Sequence, residues 1–83
     1  MIGFKVCRFR ELIKGDQFLD PRTGEVVRLE SSAADPKRAR YLIADITTVT
    51  THTRGNLTLH GGRWMRRKLR EGEHEQNDNT TAK

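Results

Sequence analysis

The sequence contains one cysteine, Cys7, among its 83 residues. A single cysteine excludes a disulfide within the chain and is typical of proteins from a reducing compartment. The longest uninterrupted apolar run, residues 41–44, is far too short to span a bilayer. The first residues lack the basic segment and apolar stretch that mark a signal peptide. We therefore expect a cytoplasmic protein that does not enter a membrane.

Motifs of common enzyme chemistry are also absent. The sequence has no glycine-rich phosphate loop, no nucleophile elbow and no His-Glu-x-x-His segment. His52, His60 and His74, taken with Cys7, match no zinc-binding spacing. The threonines between residues 47 and 53 are typical of a strand surface rather than of a catalytic centre. We expect a protein that is not an enzyme and that uses no cofactor and no metal.

Charge is abundant and unevenly distributed. Residues 1–70 carry 15 Lys and Arg against 7 Asp and Glu, whereas residues 71–83 carry only Lys83 against four acidic residues. The body of the chain is thus more basic than its formal net charge of +5 indicates. A basic body favours a polyanionic partner through electrostatic steering and the release of counterions.

The first half of the chain predicts short β-strands and one helical turn. Ile2, Phe4 and Val6 alternate as in a strand, and the apolar spacing over residues 9–13 suits a single helical turn. Residues 17–19 and 25–30 are typical of two strands. The Asp-Pro-Arg-Thr-Gly segment between them, residues 20–24, predicts a tight turn.

The second half continues this pattern. Residues 31–37 are predicted to form a polar loop, residues 39–50 a strand, and residues 54–56 a turn. The Gly-Gly pair at 61–62 predicts a hairpin in which His60 faces Arg63 and Leu59 faces Trp64. Residues 63–70 fit a strand best, and a short helix is the alternative.

Together these elements predict a mostly β protein. We expect a small, partly open antiparallel barrel of the SH3-like type, with about five strands and one short helical turn, over residues 1–70. A three-stranded sheet capped by a helix is the alternative. Residues 71–83 have no strong apolar anchor and are predicted to form a disordered acidic tail.

The segment from Gly15 to Leu29 resembles the opening hairpin of SH3-like modules, including the KOW type of ribosomal proteins and transcription elongation factors. Those modules begin with a Gly-Asp-hydrophobic step, as at residues 15–18, and reach a Gly-x-Val-x-hydrophobic strand, and the resemblance covers 15 of the 83 residues. It implies binding to RNA or to an RNA polymerase. The short chain, with Phe-Arg-Glu-Leu at 9–12 before Gly15-Asp16, also looks like small accessory proteins of bacteriophages, which implies binding, and modulating or inhibiting, a host protein.

The candidate binding residues form two basic groups. The first group, in the last strand, combines cations with a tryptophan: Arg63, Trp64, Arg66, Arg67, Lys68 and Arg70. The second group, in the central loop, is Lys37, Arg38 and Arg40. Such cations neutralise phosphates without reading base sequence. Trp64 either stacks on a base or packs in the core on Leu59.

Two functions follow from these residues. The first is a small basic binding module that contacts the DNA or RNA backbone through its C-terminal strand. The alternative is a protein-interaction module, of the phage type, that meets an acidic surface of a host protein. The acidic tail could also fold back onto the basic strand as a competing anion, and the protein could be a monomer or a homodimer.

Overall fold

The computed structural model describes residues 3–73, which form six strands and one turn of 3₁₀ helix. The bounds are β1 Phe4–Arg8, the 3₁₀ turn Phe9–Glu11, β2 Gln17–Leu19, β3 Val26–Ala34, β4 Tyr41–Thr48, β5 Arg54–His60 and β6 Trp64–Lys68. The predicted mostly β fold and its single helical turn are thus confirmed, with six strands where about five were expected.

All paired strands are antiparallel and follow the spatial order β1-β6-β2-β3-β4-β5. Within the described residues, β1 pairs only with β6 and β5 pairs only with β4. The two ends of the sheet do not meet, so the sheet is open and the expected SH3-like barrel is not closed. Closure needs a continuous hydrogen-bond ladder around the barrel, and β1 and β5 do not supply it.

The first hairpin forms as predicted. Its turn is held by Asp20, whose carboxylate accepts a hydrogen bond from the backbone N–H of Arg22 at 2.8 Å. The carbonyl of Asp20 accepts another from Gly24 at 2.7 Å. Gly24 has a φ of 79°, a left-handed conformation that suits glycine. Local chemistry alone therefore specifies this turn.

Two predicted irregular segments are strands instead. β3 continues through Ala34, so residues 31–34 of the expected loop pair with β4 after a bulge between Leu29 and Ser31. The expected turn at 54–56 is the start of β5. The chain reverses earlier, where His52 has a φ of 59° and donates its N–H to the carbonyl of Thr48. Pairing with the long central strand β4 outweighs the low strand propensity of these polar segments.

The predicted pairing of β5 with β6 is also wrong. A turn does form at residues 61–62, but Leu59 pairs with Leu42 on β4, and Trp64 pairs with Arg8 on β1. The two strands diverge after the turn because each has another partner. As a result, β6 lies between β1 and β2.

The core lies on the inner face of the curved sheet. Its members alternate along each strand and continue into the 3₁₀ turn: Cys7, Phe9, Leu12, Phe18, Val27, Leu29, Ala44, Ile46, Leu57 and Met65. Phe18 has no exposed surface and meets Phe9 edge to face, with ring centres 6.4 Å apart. Burying one such ring contributes roughly 1.5–3 kcal/mol. This core fixes which side of β6 faces outward.

Candidate functional site

The basic C-terminal segment is a strand, as predicted, and its side chains alternate between the two faces of the sheet. Met65 and Arg67 face inward and are buried, whereas Trp64 and Arg66 face outward and are exposed. Alternation is a property of every β-strand, so a contiguous run of cations cannot form one surface. The predicted basic group therefore divides.

Arg67 is held inside the protein by Glu73. Only 4% of Arg67 is exposed, and its guanidinium donates two hydrogen bonds to the Glu73 carboxylate, at 2.6 and 2.8 Å. Hydrogen bonds from Arg67 and from the backbone N–H of Arg70 lower the pKa of Glu73 from 4.5 to about 2. Arg67 thus supports the fold and does not belong to the outer surface.

Glu73 lies in the segment predicted to be a disordered tail. The structure describes the first three residues of that segment, 71–73, and the remainder of the predicted tail lies outside the described residues. The Lys5 ammonium lies 3.8 Å from the same carboxylate. An acidic residue of the tail does meet the basic strand, but it meets the inward-facing Arg67.

Arg70 also has an internal partner. Its guanidinium donates to both carboxylate oxygens of Asp16, at 2.9 and 2.8 Å, and Asp16 accepts a third hydrogen bond from the N–H of Ile13. Burial by itself would raise the pKa of Asp16, but these hydrogen bonds outweigh it and the pKa lies below its usual value. Arg70 therefore ties the segment after β6 to the residue that precedes β2.

Trp64 is not a core residue. Its exposed fraction is 58%, and the expected packing on Leu59 does not occur. The Arg8 guanidinium stacks on the indole at 3.8 Å from the ring centre, and it also donates to the carbonyl of Gly62 at 2.6 Å. A cation over an indole is stabilising and holds the ring in place. The sequence reasoning missed Arg8, which only the pairing of β1 with β6 brings opposite Trp64.

The outward side chains around Trp64 form a basic surface beside a shallow cleft. The cleft has a volume of about 290 Å³ and is bordered by Pro21, Arg63, Trp64, Arg66 and the buried Asp20, which pairs with Arg22, among others. Among residues 3–73, no acidic side chain lies within 4.0 Å of the charged groups of Arg63, Arg66 or Lys68. We call this set the Trp64 surface: Arg8, Arg63, Trp64, Arg66 and Lys68.

The second predicted basic group lies near the turn that leads into β6. The carbonyl of Arg40 accepts a hydrogen bond from the N–H of Gly61 at 2.7 Å, and Arg40 has a left-handed φ of 69°. Arg38 stacks on Tyr41 at 4.1 Å from its ring centre. Lys37 is exposed. The loop therefore folds toward the start of the last strand, through a backbone contact that no sequence pattern indicates.

The single cysteine lies in the core of the protein. Burial raises the pKa of the Cys7 thiol, which keeps it protonated and weakly nucleophilic. Within residues 3–73, no three side chains of His, Cys, Asp or Glu come together in a way that would hold a metal ion. His74 lies outside the described residues.

The part of the chain that the structure describes contains no helix long and apolar enough to cross a membrane. Searches against known protein families, curated proteins and solved structures find no match. The function is therefore argued from the site alone.

Proposed function

We propose that this chain is a small, non-enzymatic nucleic-acid-binding module that contacts its ligand through the Trp64 surface. One observation carries the proposal: an exposed tryptophan, stacked on Arg8, lies beside cations that have no acidic partner among residues 3–73. Cations that follow a strand can neutralise successive phosphates, and an exposed indole can stack on a base.

The ion pairs elsewhere in the molecule support the same conclusion. Asp16, Asp20, Glu30 and Glu73 are each paired with an arginine. These pairs neutralise part of the negative charge of the described residues, including that of Asp20, which borders the cleft beside Trp64. The carboxylate of Glu11 accepts the backbone N–H of Arg8 and also lies near the Trp64 surface, but the four cations of that surface outnumber these carboxylates and favour a polyanion.

A protein partner is the second candidate, because tryptophan and arginine also dominate protein interfaces. Val6, opposite Arg66 on β1, is half exposed, and β1 is an edge strand of the described sheet. An acidic surface of a host protein, as the resemblance to phage accessory proteins implies, would dock on the same residues. Nucleic acid is preferred because the cations outnumber the apolar groups on this surface.

The test measures the fluorescence anisotropy of labelled single-stranded DNA, RNA and duplex DNA of about 12 nucleotides, at low and at physiological salt. The Arg63→Ala/Arg66→Ala variant should bind the ligand at least tenfold more weakly. The matched control is Lys14→Ala/Arg54→Ala, which removes the same charge from exposed positions outside the Trp64 surface and should bind within about twofold of the wild type.

Trp64 is the only tryptophan, so its emission reports contact directly. Bound nucleic acid should quench it. Absence of binding at physiological salt, or equal losses in both double variants, would overturn the proposal and leave an acidic protein as the better candidate.

A further inference from the structure

A second cavity lies on the other side of the turn at residues 61–62. Its volume is about 370 Å³. Its walls are largely apolar, with Ala34, Ala39 and Leu42 among the lining residues, and Tyr41 and His60 add two aromatic rings. The charged side chains at its border are Arg10, Arg38, Arg40 and Asp35, and the Asp35 carboxylate lies 3.5 Å from Arg38. The cavity therefore combines an apolar wall with a border in which cations outnumber the single carboxylate.

The two aromatic rings of the cavity are held in a defined arrangement. Tyr41 and His60 are directly opposite on β4 and β5, and their rings meet edge to face at 5.4 Å. Nδ1 of His60 accepts the N–H of Gly62 at 2.9 Å, which fixes the orientation of the ring. Arg38 stacks on Tyr41 as Arg8 stacks on Trp64. The molecule thus carries two arginine–aromatic pairs, Arg8 with Trp64 and Arg38 with Tyr41.

The Gly61–Gly62 turn lies between the two arginine–aromatic pairs. On one side, Arg8 donates to the carbonyl of Gly62. On the other, the N–H of Arg10 donates to the carbonyl of Gly61 at 2.9 Å. A Cβ atom at Gly62 would come within 3.5 Å of the Arg10 guanidinium, so that cation lies close beside the turn. Arg8 and Arg10 therefore flank the turn and link the Trp64 surface to the cavity.

From this arrangement we infer that the Tyr41–His60 cavity is a second nucleotide-binding subsite and that the ligand is a single strand crossing the Gly61–Gly62 turn. This inference rests on the proposed function and names its ligand class. Bases in a duplex are stacked on one another and cannot reach separate aromatic side chains, whereas an unpaired strand can place one base at Trp64 and another at Tyr41. Arg10 and Arg40 would meet the phosphates between them.

The test compares single-stranded oligonucleotides of about 4 and about 12 nucleotides and a duplex of the longer sequence. The wild type should prefer the long single strand to both other ligands by about tenfold or more. Tyr41→Ala and Arg10→Gln/Arg40→Gln should each weaken binding of the long strand by about five- to tenfold and bring its affinity close to that of the short one. Tyr41→Phe keeps the stacking ring and should retain wild-type affinity, and thermal unfolding by circular dichroism shows which variants fold.

The possible failures are distinguishable. If the wild type binds no oligonucleotide, the proposed function fails and the subsite fails with it. A second outcome is that the long strand binds and that Trp64→Ala weakens its binding. If the folded Tyr41→Ala and Arg10→Gln/Arg40→Gln variants then bind it with an affinity within twofold of the wild type, only the second subsite is overturned. If the wild type binds the duplex as tightly as the long single strand, the inference that the ligand is single-stranded is overturned.

Discussion

Adjacent arginines have opposite roles in this protein. Arg66 points outward from β6 and is exposed, whereas Arg67 points inward and is only 4% exposed. Arg67 contributes to stability through Glu73, and Arg66 contributes to the charge of the Trp64 surface. The alternation of one strand thus places one arginine in the core and its neighbour on the surface.

This separation predicts different stabilities for two neighbouring variants. Arg67→Ala removes a side chain that is only 4% exposed, and should lower the free energy of unfolding by about 1–3 kcal/mol. Arg66→Ala, the matched control, should change it by less than about 0.5 kcal/mol. Urea unfolding followed by far-UV circular dichroism measures both, and equal effects would contradict the structural role of Arg67.

The same ion pairs predict a loss of stability in acid. The folded-state pKa of Glu73 is about 2, below its ordinary value of 4.5, and the pKa values of Asp16 and Asp20 are also lowered. Carboxyl groups with a lowered pKa stabilise the fold above their ordinary pKa and lose this contribution as the pH falls through the folded value.

The wild type should therefore lose stability progressively from about pH 4.5 to about pH 2. Glu73→Gln cannot make the charged contact, so it should be less stable at neutral pH and should depend less on pH across this range. Thermal melts at intervals across the acid range measure the effect. A Glu73→Gln curve parallel to that of the wild type would show that this carboxylate is not the source.

At the scale of elements, the turn between β5 and β6 decides the shape of the site. The two strands leave the turn for different partners, so Trp64 and the Tyr41–His60 pair lie on either side of it. Gly61 is buried in this turn, where a Cβ atom would meet the carbonyl oxygen of Arg40 at 3.3 Å and Cβ of Arg10 at 3.4 Å. The turn, the loop at Arg40 and the 3₁₀ segment therefore pack as one unit.

A larger side chain at this position should destabilise the unit. Gly61→Val forces Arg40 and Arg10 apart, and we expect a cost of about 1–3 kcal/mol in the free energy of unfolding. Gly55→Val is the matched control, because Gly55 lies on β5 with nothing within 4 Å of its Cβ position. Valine favours strands, so this control should be neutral or stabilising. Equal destabilisation of the two variants in urea would contradict the close packing at Gly61.

At the scale of the whole molecule, the paired charges and the unpaired cations of the described residues lie in different places. Five of the nine carboxylates among residues 3–73 pair with an arginine, while Arg63, Arg66 and Lys68 lie on one face beside Trp64. Such an arrangement attracts a polyanion over distances of about one Debye length, roughly 8–10 Å. Affinity for nucleic acid should therefore depend strongly on salt.

The salt dependence gives a quantitative prediction. Each phosphate contact of a single strand contributes about 0.7 to the slope of log affinity against log salt concentration. Arg63→Ala/Arg66→Ala removes two such contacts and should reduce the slope by about 1.4. Titrations at several salt concentrations measure it, and Lys14→Ala/Arg54→Ala should keep the wild-type slope. An unchanged slope in Arg63→Ala/Arg66→Ala would show that these two arginines do not contact phosphates.

Much of the fold was predictable because its signals are local. The turn at 20–24, the 3₁₀ segment after β1 and the strand character of residues 64–68 follow from residue type and spacing over a few positions. The site was predictable only in part. Arg63, Trp64, Arg66 and Lys68 were identified, but Arg8 and Arg10 were missed because both lie far from residue 64 in sequence.

The sequence by itself determined a single small β-rich domain with a basic body, because strand propensity, turn chemistry and charge are properties of short segments. The tertiary structure decided the strand order, the open sheet and the identity of the exposed arginines. These depend on partners distant in the chain, such as Asp16 and Arg70, which are 54 residues apart. Many antiparallel pairings satisfy the same local patterns, and only the combined packing of the core selects one of them.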